Sequence, residues 1–225
     1  LDDQPAHLQL VKEVTNDDGG TATAGDFTLS ASGPTPISGA GGAESDVDAG
    51  TYTLSETELP GYTAGSWSCV KNSGAPVTGS SITLAPGDSA TCTITNDDQP
   101  AHLQLVKEVT NDDGGTAVPA NWLLKADGTG SNDVSGAGGF DQDVDADTYN
   151  LSESGGPSGY TAGSWSCVKN DEDPVTGSSV TLATGDSATC TITNDDQPAH
   201  LQLVKEVTND DGGTARSEEH TSELQ

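Results

Sequence analysis

The stretch DDQPAHLQLVKEVTNDDGGTA stands at residues 2–22 and recurs letter for letter at residues 97–117 and 195–215. Successive copies begin about a hundred residues apart, too far for a solenoid unit and right for one small domain. The chain therefore reads as a tandem array of near-copies of one domain. It begins inside one copy, ends inside another and lacks Met, as expected of a piece of something longer. Inside the repeated stretch, HLQLVKEVT alternates, with Leu8, Leu10, Lys12 and Val14 on one face, the signature of a half-buried strand.

Outward from that strand the pattern continues. DFTLSAS (26–32), ESDVDA (44–49), TYTLSET (51–57), GSWSCV (65–70), SSITLA (80–85) and SATCTIT (89–95) are short strands separated by Gly, Pro, Asn and Asp. Seven such strands read as an all-β, immunoglobulin-like sandwich. The second copy follows the same plan, with Trp122 in place of Phe27 and Phe140 in place of Ala43. The expected organisation is a preceding tail (1–6), one sandwich (7–96), a linker (97–101), a second sandwich (102–194), a linker (195–199) and the first strand of a truncated third repeat (200–215). The linkers contain Pro100 and Pro198. The last segment, RSEEHTSELQ (216–225), breaks the repeat, which should continue as TAGDF or VPANW. It resembles a translated sequencing adapter and is set aside from the fold reading.

Composition narrows the function. The chain has 36 acidic against 7 basic residues, a formal net charge of −29, so its surface repels phosphate and nucleic acid is excluded as a partner. No apolar run is long enough to span a bilayer. Each complete copy carries two cysteines, Cys69 and Cys92, then Cys167 and Cys190. No close Cys pair or neighbouring His makes a zinc pattern. One disulfide per domain, implying an oxidising compartment, is the expectation; buried free thiols are the alternative.

Three polar residues fall on the apparent inner faces: Lys12 on the first strand, Glu56 in line with Tyr52 and Leu54, and Asn96 in line with Ala90, Cys92 and Ile94. The second copy repeats them as Lys107, Glu153 and Asn194. Buried charges are costly unless paired, so their presence calls for a partner. TYTLSETELPGYT (51–63) and TYNLSESGGPSGYT (148–161) resemble the Y-x-L-x-E…GY segment of the prealbumin-like, SpaA-type domains (collagen-adhesin B-type) of bacterial surface proteins and pilins. That resemblance implies a prealbumin-like fold. It also implies an isopeptide bond between Lys12 and Asn96, promoted by Glu56, and a second between Lys107 and Asn194, promoted by Glu153. The alternative for each trio is a buried Lys–Glu ion pair or a Lys that reaches the edge.

Acidic residues cluster where strands end. If the strands run simply up and down, the first and last are parallel, and Asn16, Asp17, Asp18, Asp48, Asn96, Asp97 and Asp98 converge at one pole. The second copy offers Asn111, Asp112, Asp113, Asp145, Asp147, Asn194, Asp195 and Asp196. Oxygen ligands in excess of basic partners suit Ca²⁺ bound between successive domains, as at cadherin joints; ordinary Asn-Asp-Gly turn chemistry is the alternative. Asp143, Asp145 and Asp147 begin like an EF-hand loop, but Thr148 stands where the glycine is needed. His7, His102 and His200 are expected to cap an exposed edge, and Tyr62 with Trp67, like Tyr160 with Trp165, to fill the core.

The expected function is structural: a segment of an extracellular bacterial fibre, stalk or surface protein, associating with neighbouring repeats and with other copies of the chain. The alternative is an adhesin array, for which residues 33–42 and 128–139 supply a loop that differs between copies. No nucleophile triad or phosphate loop points to an enzyme; the only chemistry implied is self-directed.

Overall fold

The structure, a computed structural model, describes residues 4–214; the segment 216–225 lies outside them. Repeat one contains β1 (Ala6–Thr15), β2 (Thr28–Ser32), β3 (Ile37–Ala40), β4 (Gly42–Val47), β5 (Gly50–Glu56), β6 (Tyr62–Ala64), β7 (Ser68–Lys71), β8 (Val77–Thr78), β9 (Ser81–Leu84) and β10 (Ser89–Asp98). Repeat two repeats the series as β11 (Ala101–Thr110), β12 (Trp122–Asp127), β13 (Val134–Ala137), β14 (Gly139–Val144), β15 (Thr148–Gly155), β16 (Tyr160–Ala162), β17 (Ser166–Lys169), β18 (Val175–Thr176), β19 (Ser179–Thr181) and β20 (Ser187–Asp196). All seven expected strands are present, and three short ones, β3, β6 and β8, join them.

Each repeat is a two-sheet sandwich. One sheet runs β4-β1-β10-β7-β8, with β6 also pairing β10, and the other runs β3-β2-β5-β9. Period-two alternation places Leu8, Leu10, Leu29, Tyr52, Leu54, Leu84 and Ile94 between the sheets, each less than a twentieth exposed. Trp67 joins that core, whereas Tyr62 is only half-buried and stacks edge-on against Phe27, with centroids 5.8 Å apart. Burial of these apolar side chains is the main source of stability in so small a domain.

Strands β1 and β10 are parallel neighbours, as expected, with His7 opposite Ser89 and Thr15 opposite Asp97. The strands between them depart from a simple up-and-down course. β4 is antiparallel to β1, with Ala6 opposite Val47, so Asp48 lies at the N-terminal pole, away from Asp17 and Asp98. The physical reason is parity. The sequence ISGA carries too little apolar alternation to announce β3, and one extra strand reverses those that follow. The two-residue β8, equally silent, reverses the direction again and restores the parallel pairing of β10.

The strands also outrun the expected domain edges. Asp97 and Asp98 continue β10, Asp195 and Asp196 continue β20, and Ala101 opens β11, so only Gln99 and Pro100 separate the two repeats. The alternation persists because the Asp98 and Asp196 carboxylates turn inward to backbone donors and are buried. The third copy of HLQLVKEVT pairs with no strand among the described residues. Among its described residues none forms a strand, and Leu201 and Leu203 are 80% and 86% exposed.

The repeats meet closely. The Ala146 N–H donates to the Asp18 carbonyl at 2.8 Å, and the Gly185 N–H donates to the Gln99 carbonyl at 3.1 Å. Gly19 sits at φ +86°, and a Cβ there would lie 2.6 Å from the Ala146 carbonyl oxygen. Both the backbone angle and the approach therefore require glycine. Gly19→Ala is expected to loosen the joint without unfolding either repeat. Small-angle scattering should show a broader spread of inter-repeat distances with unchanged far-ultraviolet circular dichroism; an unchanged scattering profile would mean that this contact does not fix the joint.

Candidate functional site

The inward alternation of β1 and β10 carries polar residues into the core. Val14 is opposite Asn96 and Lys12 opposite Ile94, so Lys12 and Asn96 are diagonal neighbours on one face of adjacent strands. Glu56 comes from the facing sheet, at the end of β5 and opposite Leu29 of β2. The Lys12 side chain is 0% exposed and Glu56 8%, and Lys12 Nζ donates to Glu56 Oε2 at 2.8 Å. The same ammonium lies 4.3 Å from the centroid of the Phe27 ring, a cation–π contact. Two buried atoms here lack a hydrogen-bond partner, Glu56 Oε1 and Asn96 Oδ1. Both residues line a cleft bounded by Leu59, Pro60, Gly61 and Tyr62.

Repeat two closes the same trio more fully. Lys107 Nζ donates to Glu153 Oε2 at 2.8 Å and also to Asn194 Oδ1. Asn194 Nδ2 donates to Glu153 Oε1 at 3.0 Å. The ring beside Lys107 is Trp122, at 5.0 Å from Nζ, and it stacks edge-on against Tyr160. In both repeats a Lys on the first strand, an Asn on the last and a Glu from the facing sheet are thus brought together away from solvent. Chemically, this sets an amine beside a carboxylate that can take its proton and beside a carboxamide that it can attack.

The cysteines lie nearby in the same sheet. Cys69 of β7 is directly opposite Cys92 of β10, and Cys167 of β17 opposite Cys190 of β20. Both pairs are disulfides, with Cα–Cα separations of 4.0 Å. No cysteine is free.

The C-terminal pole of each repeat is acidic. Carboxylate oxygens of Asp17, Asp18 and Asp98 lie within 4.8 Å of one another, as do those of Asp112, Asp113 and Asp196, so each cluster could hold a metal ion. The other residues expected at these clusters do different things. Asn96 and Asn194 belong to the Lys–Glu trios, Asp97 and Asp195 are exposed, and Asn16 accepts from the Tyr62 hydroxyl at 2.7 Å and donates to the Ala22 carbonyl at 2.9 Å. Asn111 makes the same pair of bonds with Tyr160 and Ala117. Asp48 bonds Thr35 at the opposite pole. Asp145, at the N-terminal pole of repeat two, approaches Asp18 across the joint. Burial first, then the negative charges of Asp98, Asp17, Asp145 and Asp97, push the Asp18 carboxyl above its ordinary value.

Asp98 has a structural task that the sequence reading missed. Its carboxylate accepts the backbone N–H groups of Asp17 at 3.0 Å, Asp18 at 3.1 Å and Gly20 at 2.6 Å, tying down the turn after β1. The inward alternation at position 98 was the available signal. Asp196 does the same for Asp112, Asp113 and Gly115. Burial raises the Asp196 carboxyl, but the donors of Asp113, Gly115 and Asp112 outweigh it and hold it below the ordinary value. A lowered value means that its stabilising contribution is present at neutral pH and is lost as pH falls through the folded value.

The histidines do not cap an edge. His7 lies on β1, which has neighbours on both sides. Its Nδ1 faces Asp46 and its Nε2 faces Glu44 of β4, each at 3.0 Å, and these bonds raise its pKa above the ordinary imidazole value. His102 is held likewise by Asp143 and Asp141, while His200 is exposed in the third copy.

With this geometry in view, comparison with protein families gives three consecutive matches to the prealbumin-like fold domain of SpaA type, over residues 3–94, 98–192 and 196–223. The chain belongs to this family. Among solved structures, this prealbumin-like chain is similar to the Bacillus anthracis TIE protein, at 16% identity and TM-score 0.52, covering 86% of this chain and 34% of that one. It spans, then, about a third of the length of that protein, and the likeness is one of fold. Two further similarities are to the major pilin protein T-13 of Streptococcus pyogenes and to the pilus adhesin SpaC of Lactobacillus rhamnosus GG. The pilin is 14% identical, with TM-score 0.39 and coverage of 85% of this chain and 97% of that one. The adhesin is 15% identical, with TM-score 0.41 and coverage of 85% and 31%. A comparison with curated proteins finds no match.

Asp98→Ala should free the turn after β1, because three backbone donors lose their acceptor at once. A loss of about 1–3 kcal/mol is expected in a chemical denaturation curve of the chain, with faster amide exchange at residues 17–20. Unchanged exchange there would show that the carboxylate does not hold the turn.

Proposed function

We propose that this chain is a structural segment of an extracellular bacterial fibre, stalk or surface protein, each repeat being stapled by its disulfide and by a Lys–Asn isopeptide bond. The observation that carries the reading is the buried Lys–Glu–Asn trio spanning β1, β5 and β10 and recurring across β11, β15 and β20. The reaction needs a neutral amine. Glu56, 2.8 Å from Lys12 Nζ, is placed to take its proton. Nζ then bonds to the Asn96 side-chain carbonyl carbon, Glu56 passes the proton to Nδ2, the Cγ–Nδ2 bond breaks and ammonia departs, and the second proton that Nζ loses returns to Glu56. Each trio reacts once, so the chain is no enzyme in the turnover sense.

A mechanical role follows from topology. The chain comes in at the start of β1 and goes out at the end of β10, and the two strands are parallel neighbours. Tension along the array would shear one against the other. A bond from Lys12 to Asn96 would carry that load past the eighty-odd residues between them, before the sheet hydrogen bonds yield. The disulfides and the acidic composition agree with an extracellular setting, and the partners are neighbouring repeats and other copies of the chain.

Intact-mass measurement of the chain, with and without reductant, tests the reading. The mass should be lower than calculated by two ammonia, one per repeat, and by the hydrogens of two disulfides, only the latter returning on reduction. Glu56→Ala should restore one ammonia and Glu153→Ala the other. A mass that differs from the calculated value by the disulfides alone would leave Lys12 and Lys107 as ion-pair partners.

A second element, favoured by the Asp17, Asp18 and Asp98 cluster and by the raised Asp18 carboxyl, is calcium at the C-terminal pole. A bound cation would offset the repulsion that Asp145 adds across the joint. Excess chelator should lower the melting temperature and added calcium should restore it; a melt indifferent to both would remove calcium from the account.

A further inference from the structure

We infer that the aromatic residue beside the lysine, Phe27 in repeat one and Trp122 in repeat two, decides how close the amine stands to the asparagine, so that repeat two closes its crosslink faster than repeat one. The inference rests on the isopeptide reading above and deepens it.

The two trios have the same three polar residues but differ in arrangement. In repeat one the amine lies 4.3 Å from the Phe27 centroid and its side-chain hydrogen bond is to Glu56. Asn96 Oδ1 is buried without a partner. In repeat two the amine stands farther from its ring, 5.0 Å from the Trp122 centroid, and bonds both Glu153 and Asn194 Oδ1. A hydrogen bond to Oδ1 sets Nζ within reach of the carbon it must attack, whereas an amine drawn onto a ring face is not so placed. The trio residues are the same, and the ring that touches the amine differs, alongside Ser154 for Thr57 next to the glutamate. The wider indole fills the space over which Phe27 attracts the ammonium, leaving the amine to the asparagine.

The indole has its own accommodation. Trp122 is 3% exposed, and Gly156, at φ +81°, passes so close that a Cβ there would lie 2.2 Å from the indole nitrogen. Repeat one has TELPGY where repeat two has SGGPSGY, so the glycine pair accompanies the tryptophan. Trp122 does not exchange protons or bonds with the reacting atoms; it is a positioning residue, acting through Lys107.

The test uses the full chain, made by in vitro translation, quenched in denaturant at successive times and digested. Mass spectrometry then counts the Lys12–Asn96 and Lys107–Asn194 crosslinked peptides in the same molecules, so that repeat one is an internal control. Repeat two should lead by about tenfold or more, the scale that a misplacement of under an ångström produces. Trp122→Phe should bring it down to the rate of repeat one, and Trp122→Leu should slow it as well. Because Trp122→Phe also leaves a cavity in the core, its melting is measured in the Glu153→Gln background, where no crosslink forms in repeat two, and crosslinking is timed well below that melting temperature, where the fold is intact. Equal rates in the two wild-type repeats, or an unchanged rate in Trp122→Phe, would overturn the inference. A rate that falls only at temperatures where the variant unfolds would assign the effect to packing and overturn it too. Absence of both crosslinks from the wild-type chain would overturn the isopeptide reading itself, a result distinct from two crosslinks at equal rates.

Discussion

A fully covered lysine facing a nearly covered glutamate is the constraint around which each repeat is arranged. Taking two charges out of water costs several kcal/mol per ion, and removing one partner of such a pair typically costs about 3–5 kcal/mol. The pair holds only if β1 and the facing β5 are brought to the right separation, with β10 alongside to supply the asparagine. Phe27 or Trp122 shields the amine, and Tyr62 or Tyr160 holds that ring edge-on. Joining amine and carboxamide into one amide would remove the charge on the lysine and with it the standing cost of burying an ion.

The last strand organises the rest. On one face of β10, every second residue has a separate task. Ala90 and Ile94 pack in the core, Cys92 bonds Cys69, Asn96 meets the lysine trio, and Asp98 receives the turn after β1. Two residues later β11 begins. The strand that would bear tension is therefore fixed by a disulfide, by the proposed crosslink and by backbone hydrogen bonds, in order along its length. The turn held by Asp98 in turn offers the Asp18 carbonyl to Ala146 of the next repeat. Main-chain contacts thus join the two repeats without a long linker.

The two repeats show how a near-copy diverges. Their first strands are identical and their disulfides, inward aspartates and Lys–Glu pairs superpose in role. The substitutions that matter are few: the buried Trp122 for Phe27, and an exposed glycine pair beside it that lets the indole fit. Close packing transmits such a change directly to its neighbours, since an interior with few voids cannot absorb a larger ring without moving something.

Much of this was legible in the sequence. The identical stretch set the repeat length, two cysteines per copy without a zinc pattern pointed to one disulfide each, and period-two alternation marked the seven main strands and the inward Lys, Glu and Asn, because side-chain direction in a strand is a local property. What needed the tertiary structure was everything that depends on counting strands and on packing between them. ISGA and the Val77–Thr78 pair are too short and too weakly patterned to register, yet each reverses the chain and so decides which pole receives Asp48. Carried past Thr95, alternation would put Asp98 on the inner face, but it could not show that its partners are the N–H groups of a turn some eighty residues earlier. Nor could it show that the lysine, beside an aromatic ring in both repeats, also bonds its asparagine in repeat two. Those outcomes are set by how elements far apart in the chain pack against one another, and only the folded structure fixes that.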